Sequence, residues 1–187
     1  MSKGNRKWYP FDMTYYDEIF EEAADNYGLI TTAKAREMGI GKQELSKLSA
    51  RGKLTHVGRG VYRIKHYVPT PLDVYADAVA LVGDGSFIAD ESVLALHGLA
   101  SVNPDSVLVG TPKRVRRQLP GYVETVQIHE NDRVTAYCGV PSMPVADAIR
   151  RCEGRVMPER LLEALRDGFD QGLISRKEYR ALEKELS

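Results

Sequence analysis

The chain has 187 residues, 43% apolar and 28% charged, a globular composition that excludes a disordered chain. Its 26 Lys/Arg balance 26 Asp/Glu, so neither a uniformly basic nor a uniformly acidic protein is in hand. No apolar run approaches the roughly 20 residues needed to cross a bilayer, and Met1–Lys7 lacks the apolar stretch of a signal peptide; a cytoplasmic location and no membrane partner are expected.

Over residues 13–27, Tyr16, Ile19, Phe20, Ala23 and Tyr27 recur at helical spacing, opposite Asp17, Glu18, Glu21 and Glu22. The pattern predicts an amphipathic helix ending at Gly28. Thr31 or Thr32 can cap a short second helix through Met38, with Gly39 as its stop signal and Ile40-Gly41 as a tight turn. A third helix is predicted from Lys42 to Arg51, stopped by Gly52, and Leu54 to Ile64 reads as two strands joined through Gly58-Arg59-Gly60. Helix, helix, turn, helix, hairpin is the order of a winged helix-turn-helix, assigned to residues 1–68. The stiff Val68-Pro69-Thr70-Pro71 leads into a second domain over 69–187. There the pattern predicts a helix over Pro71–Val82 with Leu72, Tyr75, Ala76 and Val79 on one stripe. Further helices are expected over 90–98 and 147–152, strands over 107–109 and 123–128, and two terminal helices bearing Leu161, Leu162, Leu165, Phe169 and then Tyr179, Leu182, Leu186. The fold class is therefore α+β, a winged helix-turn-helix followed by a mixed α/β domain.

Charge is concentrated rather than absent. Residues 28–68 hold nine Lys/Arg against two Asp/Glu, a local +7 between two acidic segments, and phosphate attraction depends on nearby charge within about a Debye length. On the third helix Leu45 and Leu48 share a packed side, while Gln43, Ser46, Lys47 and Ala50 lie opposite, flanked by Lys42 and Arg51. That polar, cationic face suits a major groove: an amide or hydroxyl can read base edges, and lysine can meet phosphate or guanine. A solvated helix face would carry the same residue types. In Gly58-Arg59-Gly60-Val61-Tyr62-Arg63-Ile64 the glycines permit a tight hairpin tip, Arg59 can reach a narrow minor groove or a phosphate, and Val61 and Ile64 are expected to face the core. The expected contacts are Gln43, Ser46 and Lys47 in the groove, Thr32, Lys34, Lys42 and Arg51 on phosphates, and Arg59 at the wing.

Leu29-Ile30-Thr31-Thr32-Ala33, Met38-Gly39-Ile40, Leu45, Leu48, Gly52-Lys53-Leu54 and Gly58-Arg59-Gly60-Val61-Tyr62 together resemble the N-terminal winged helix of AbiEi-family antitoxins. Downstream, Ser92–Leu99 is similar to the family's helix ending in a His-Gly-Leu turn, and Val140-Pro141-Ser142 through Asp147-Ala148 to its strand-to-helix segment. The resemblance implies an antitoxin of a type IV toxin-antitoxin, or abortive-infection, operon that represses its own transcription at inverted repeats in double-stranded DNA. It also implies a nucleotidyltransferase-like toxin, countered without a stable complex. Gly41 departs from the serine cap of many such helices, at a cost of a few tenths of a kcal/mol.

Enzymatic readings find less support. Asp84, Asp90, Glu91 and Asp105 lack the x-Lys partner of a PD-(D/E)xK nuclease, and Gly85-Ser86 is not followed by the Asp-x-Asp of a nucleotidyltransferase. His97-Gly98 fits a helix C-terminus, where a cation or a hydrogen bond to free carbonyls is favourable, better than a catalytic base. Cys138 and Cys152 form no CxxC pair, so reduced thiols are expected, with no metal, cofactor, catalytic residue or small-molecule substrate. The run Thr111-Pro112-Lys113-Arg114-Val115-Arg116-Arg117 is a second basic cluster, expected to add phosphate contacts through Lys113, Arg114, Arg116 and Arg117 without base specificity. The alternative to an operator-binding antitoxin is a winged-helix interaction module that binds protein or RNA.

Overall fold

The computed structural model describes residues 14–129 and 132–186; Met1–Lys7 and Met13, the expected first residue of the first helix, lie outside them. The chain divides into two compact units, Met1–Pro69 and Thr70–Ser187.

In the first unit, α1 (Tyr15–Ala24) starts at a capping box. The Thr14 N–H donates to Asp17 Oδ2 at 2.8 Å and the Asp17 N–H to Thr14 Oγ1 at 3.4 Å, so two otherwise free donors are satisfied. The Thr14 hydroxyl and N–H hold the Asp17 carboxyl below its ordinary range. The helix ends before Tyr27, because Tyr27 and Gly28 both take positive φ, 53° and 69°. Gly28 is required on a second ground: a Cβ there would lie 2.7 Å from Tyr67 Cγ. Phe20, expected on the apolar stripe, is 44% exposed, and Ile19 and Ala23 carry the packing.

Leu29–Thr31 forms a strand, β1, that the sequence pattern does not announce; α2 (Thr32–Glu37), α3 (Lys42–Ala50), β2 (Leu54–Gly58) and β3 (Val61–Ile64) follow. The sheet is antiparallel in the order β1-β3-β2, with Leu29 opposite Arg63 and Leu54 opposite Ile64, and a register shift between His56 and Gly58. Ile19, Ala23, Ile30, Ala35, Ile40, Leu45, Leu54, Tyr62 and Ile64 make one core cluster. Strand alternation puts Tyr62 and Ile64 on the same face, so Tyr62 takes the place in that cluster expected of Val61, which is buried but outside it.

The second unit is also α+β. It contains α4 (Asp73–Val82), β4 (Phe87–Ile88), α5 (Glu91–Leu96), β5 (Val107–Thr111), β6 (Val123–Gln127), β7 (Thr135–Tyr137), β8 (Val140–Ser142), α6 (Val145–Arg151), α7 (Pro158–Asp170) and α8 (Arg176–Leu186). Its mixed sheet runs β6-β5-β4-β8-β7; β5–β6 and β4–β8 are parallel and the other two pairs antiparallel. On α4 Ala76 of the expected stripe is buried together with Ala78, Leu81 and Val82, whereas Leu72, Tyr75 and Val79 are only half-buried. Asp90, 1% exposed and at φ 53°, accepts from Arg151 Nε at 2.5 Å and pairs with Arg155 Nη2 at 2.8 Å, a buried charge that its two guanidiniums neutralise. Glu91 lies 3.5 Å from the same Arg155 nitrogen, so these carboxylates are engaged structurally. No group of three or more His, Cys, Asp or Glu placed to hold a metal occurs among the described residues, and none of their helices is long and apolar enough to cross a membrane.

Candidate nucleic-acid interface

The interface is built on α3. Leu45 is fully buried and Leu48 half-buried, which turns Lys42, Gln43, Ser46, Lys47 and Ala50 outward, with exposed Arg51 at the C-cap. Gly41 is the N-cap and makes no side-chain cap bond, at φ −72°, ψ 147°. The outward groups are not all free. Lys47 Nζ lies 2.7 Å from Glu44 Oε1 one turn back, an exposed pair of small net energy. The Ser46 hydroxyl donates to the Lys42 carbonyl at 3.3 Å, which leaves its acceptor capacity outward. Gln43 projects an amide able both to donate and to accept.

The helix before it is held from two sides. Thr31 is the N-cap of α2, its Oγ1 accepting the Lys34 N–H at 3.1 Å. Lys34 Nζ pairs with Glu22 Oε1 of α1 at 3.1 Å across a partly exposed surface. Thr32 begins α2 and spends its N–H on the wing, donating to the Gly60 carbonyl at 2.8 Å. Gly60 has φ 80°, and a Cβ there would sit 2.9 Å from Thr32 Oγ1. The tip of the β2–β3 hairpin is thus tied to the start of the helix-turn-helix, and exposed Arg59 stands next to the tie. At the hairpin's other end, Arg63 Nε donates to the Tyr27 carbonyl at 3.1 Å and its guanidinium lies 5.2 Å from the Tyr67 ring centroid. Arg63 is therefore a bracing residue of the sheet, whereas Arg59 is a displayed one.

Of the eight residues singled out in this unit, Lys42, Gln43, Ser46, Lys47 and Arg51 come together on one side of α3, and Thr32 makes the wing tie to Gly60, the residue after Arg59. Lys34 stands apart on α2, against α1. The block of positive charge also exposes Lys53 and Lys65, which helical spacing does not single out although they lie in the same +7 stretch. The Lys65 N–H donates to the Lys53 carbonyl at 3.1 Å, and Lys53 Nζ lies 5.3 Å from the Tyr16 ring centroid.

Two residues of the second unit differ from expectation. Arg117 does not stand out in solvent with the other cations: its Nη2 donates to the Leu81 and Val82 carbonyls at 2.6 and 2.5 Å, closing the C-terminus of α4. His97 does cap the C-terminus of α5, but its Nδ1 is buried without a hydrogen-bond partner and its ring packs on Tyr137, centroids 4.2 Å apart. Burial lowers its pKa to about 4, so near pH 7 the ring is neutral, and of the two expected ways to favour the helix end, a cation or a hydrogen bond to free carbonyls, the cation is not formed. Cys152 is buried, its thiol pushed up to about 12 by burial and by the neighbouring Glu91 and Asp90 carboxylates; Cys138 is exposed and unbridged.

The crystal structure of the RV2827C protein from Mycobacterium tuberculosis is similar at 16% identity and a TM-score of 0.48, over 90% of this chain and 70% of that one. Among curated proteins nothing matches. The family AbiEi_4, described as "Transcriptional regulator, AbiEi antitoxin", matches over residues 17–65, from the first turn of α1 to the residue after β3. Those residues, which hold the helix-turn-helix, the wing and the whole exposed face of α3, are the part of the chain that is similar to that family.

Proposed function

We propose that the chain is a cytoplasmic DNA-binding antitoxin that represses its own operon and counters a nucleotidyltransferase-like toxin without forming a stable complex with it. The observation that carries the DNA half is the side of α3 formed by Lys42, Gln43, Ser46, Lys47 and Arg51, within the segment that matches the antitoxin regulator family and beside a hairpin hydrogen-bonded to the same helix-turn-helix. In this reading α3 enters the major groove. Gln43 pairs with an adenine edge, Ser46 accepts from a base or a phosphate-bound water, and Lys47 leaves Glu44 for guanine or phosphate, an exchange that costs little at an exposed pair. Lys42, Arg51 and Lys34 neutralise phosphates, Thr32 sits at the backbone where the wing meets α2, and Arg59 reaches the adjacent minor groove or its phosphates. The antitoxin role rests on the family description; the nucleotidyltransferase-like toxin, the lack of a stable complex and the assignment of the acting residues to the second unit rest on the resemblance to AbiEi-family antitoxins alone.

Equilibrium binding to a labelled duplex from upstream of the gene, beside a scrambled duplex and across a salt series, tests the reading. Preference for the upstream duplex with a steep fall in affinity as salt rises supports an autorepressor. Weak, equal binding to both at low salt removes the operator and favours a module whose partner is protein or RNA.

A further inference from the structure

We infer that the loop from Thr111 to Arg117 in the second unit is a preformed contact site for the phosphate backbone of duplex DNA, made by Lys113, Arg114 and Arg116 and blind to base sequence. The inference rests on the DNA-binding function proposed above and adds to it a surface outside the helix-turn-helix.

Three observations carry it. The loop is fixed at both ends. At its start the Thr111 hydroxyl, 7% exposed at the end of β5, donates to the Lys113 carbonyl at 3.0 Å and accepts the Lys113 N–H at 3.3 Å. At its end Arg117 is anchored on the last carbonyls of α4, with its Nη2 3.1 Å from where a Gly83 side chain would begin. Between the anchors Lys113, Arg114 and Arg116 are exposed within four residues. Finally, these cations lack the carboxylate partners that four of the unit's arginines have. Arg133 pairs with Asp147 and Glu178, Arg150 with Asp147 and Glu185, and Arg151 and Arg155 with Asp90. Among the described residues no carboxylate pairs with Lys113, Arg114 or Arg116, although residues 69–187 carry 18 acidic against 14 basic side chains. Three unneutralised cations held within four residues on a backbone fixed at both ends present a site for a linear polyanion: ordering is largely complete before binding, and counterion release drives association. The three cations stand on a loop and not on a helix or strand that could seat them in a groove, so the group they meet is the phosphate and not the base edge.

The test is the salt dependence of full-length protein on the upstream and scrambled duplexes. It compares wild type, the triple variant Lys113→Ala, Arg114→Ala, Arg116→Ala, and a control triple of equal charge change at exposed cations elsewhere in the unit, Arg166→Ala, Arg176→Ala, Lys177→Ala. The loop triple is expected to lose roughly 10- to 100-fold in affinity at moderate salt on both duplexes, to flatten the log–log slope by about 2 to 3, and to keep the preference for the upstream duplex. The control triple is expected to change the slope by less than one. An unchanged slope in the loop triple with operator preference intact overturns the loop site alone and leaves the repressor reading standing. Equal losses from both triples overturn it too, since net charge then explains them. Loss of preference without loss of slope refutes a base-blind contact. Absence of salt-dependent binding by the wild type refutes the site together with the function it rests on.

Discussion

Thr32→Pro is a sharp probe of the tie between the wing and the helix-turn-helix. Thr32 is the first residue of α2, the helical position where proline's missing N–H and fixed φ are tolerated best. The preceding residue, Thr31, already has the extended backbone that proline demands of it, φ −96°, ψ 155°. What the substitution removes is the N–H that donates to the Gly60 carbonyl at 2.8 Å. One backbone hydrogen bond is worth about 1 kcal/mol, so the melting temperature should fall by only a few degrees. The effect on DNA should be larger, because the wing loses its fixed height and with it a charged contact from Arg59 worth about 1.5 to 3 kcal/mol. If half to all of that contact is lost, affinity drops roughly 4- to 160-fold and the salt slope flattens by up to about 0.9. Fluorescence anisotropy on the upstream duplex, for Thr32→Pro, Thr32→Val, Arg59→Ala and the Pro/Ala double variant, measures it. Thr32→Val keeps the N–H and removes only the hydroxyl, and so separates the tie from a direct hydroxyl contact. Expected are a small loss in Thr32→Val, a loss in Thr32→Pro approaching that of Arg59→Ala, and a double variant little weaker than Arg59→Ala alone. Losses that add on a logarithmic scale refute the reasoning, as does a Thr32→Pro protein that binds like wild type.

Other consequences are independent of DNA. The unfolded chain binds a proton on His97 near pH 6.5 and the folded chain only near 4, so the unfolded state gains protons first. Stability is full above about pH 6.5 and declines as the pH falls toward 4. Urea unfolding at pH 7 and pH 5 should show about 1 to 2 kcal/mol more loss in wild type than in His97→Phe, allowing for the ring's partial exposure; equal losses dismiss the buried ring as the cause. Asp90→Asn leaves Arg151 and Arg155 facing a neutral amide and should destabilise by about 3 kcal/mol in the same assay, with a loss below about 1 kcal/mol showing that the pair is not a structural centre. Arg117→Ala uncaps α4 and should cost about 2 kcal/mol. Were Arg117 only a displayed cation, the melting temperature would not move.

The sequence exposes periodic features and hides those made at a distance. The helix from Lys42, its apolar side through Leu45 and Leu48, and the hairpin around Arg59 follow from spacing and from glycine, which are local signals. Leu29–Thr31 is too short to announce a strand: it becomes one only because Val61–Arg63 comes back to pair with it. Phe87–Ile88 is two residues long and is a strand for the same reason, lying between β5 and β8. Arg117 reads as one of a run of cations because nothing nearby in sequence reveals that it will meet the last carbonyls of a helix more than thirty residues earlier. His97 is placed correctly at a helix end, but its charge state depends on burial, which no local pattern encodes. Lys53 and Lys65 are legible as charge and not as position, since they are brought together by the β2–β3 pairing.

That β1–β3 pairing also closes the chain around the helix-turn-helix. With Leu29 opposite Arg63 and Thr31 opposite Val61, both helices and their turn lie inside a loop whose two ends are stitched together by strand hydrogen bonds. Fixing those ends removes most of the freedom that α2 and α3 would have as a separate peptide, and the closure entropy is met once for the whole element. A fragment that begins at α2, or stops at the tip of the hairpin, would keep each residue of the helix-turn-helix and lose the stitch that holds it shut. The indivisible unit of this half of the protein is therefore the closed loop with α1 and Tyr67 packed on it, and dissection by truncation should be planned around residues 14–69.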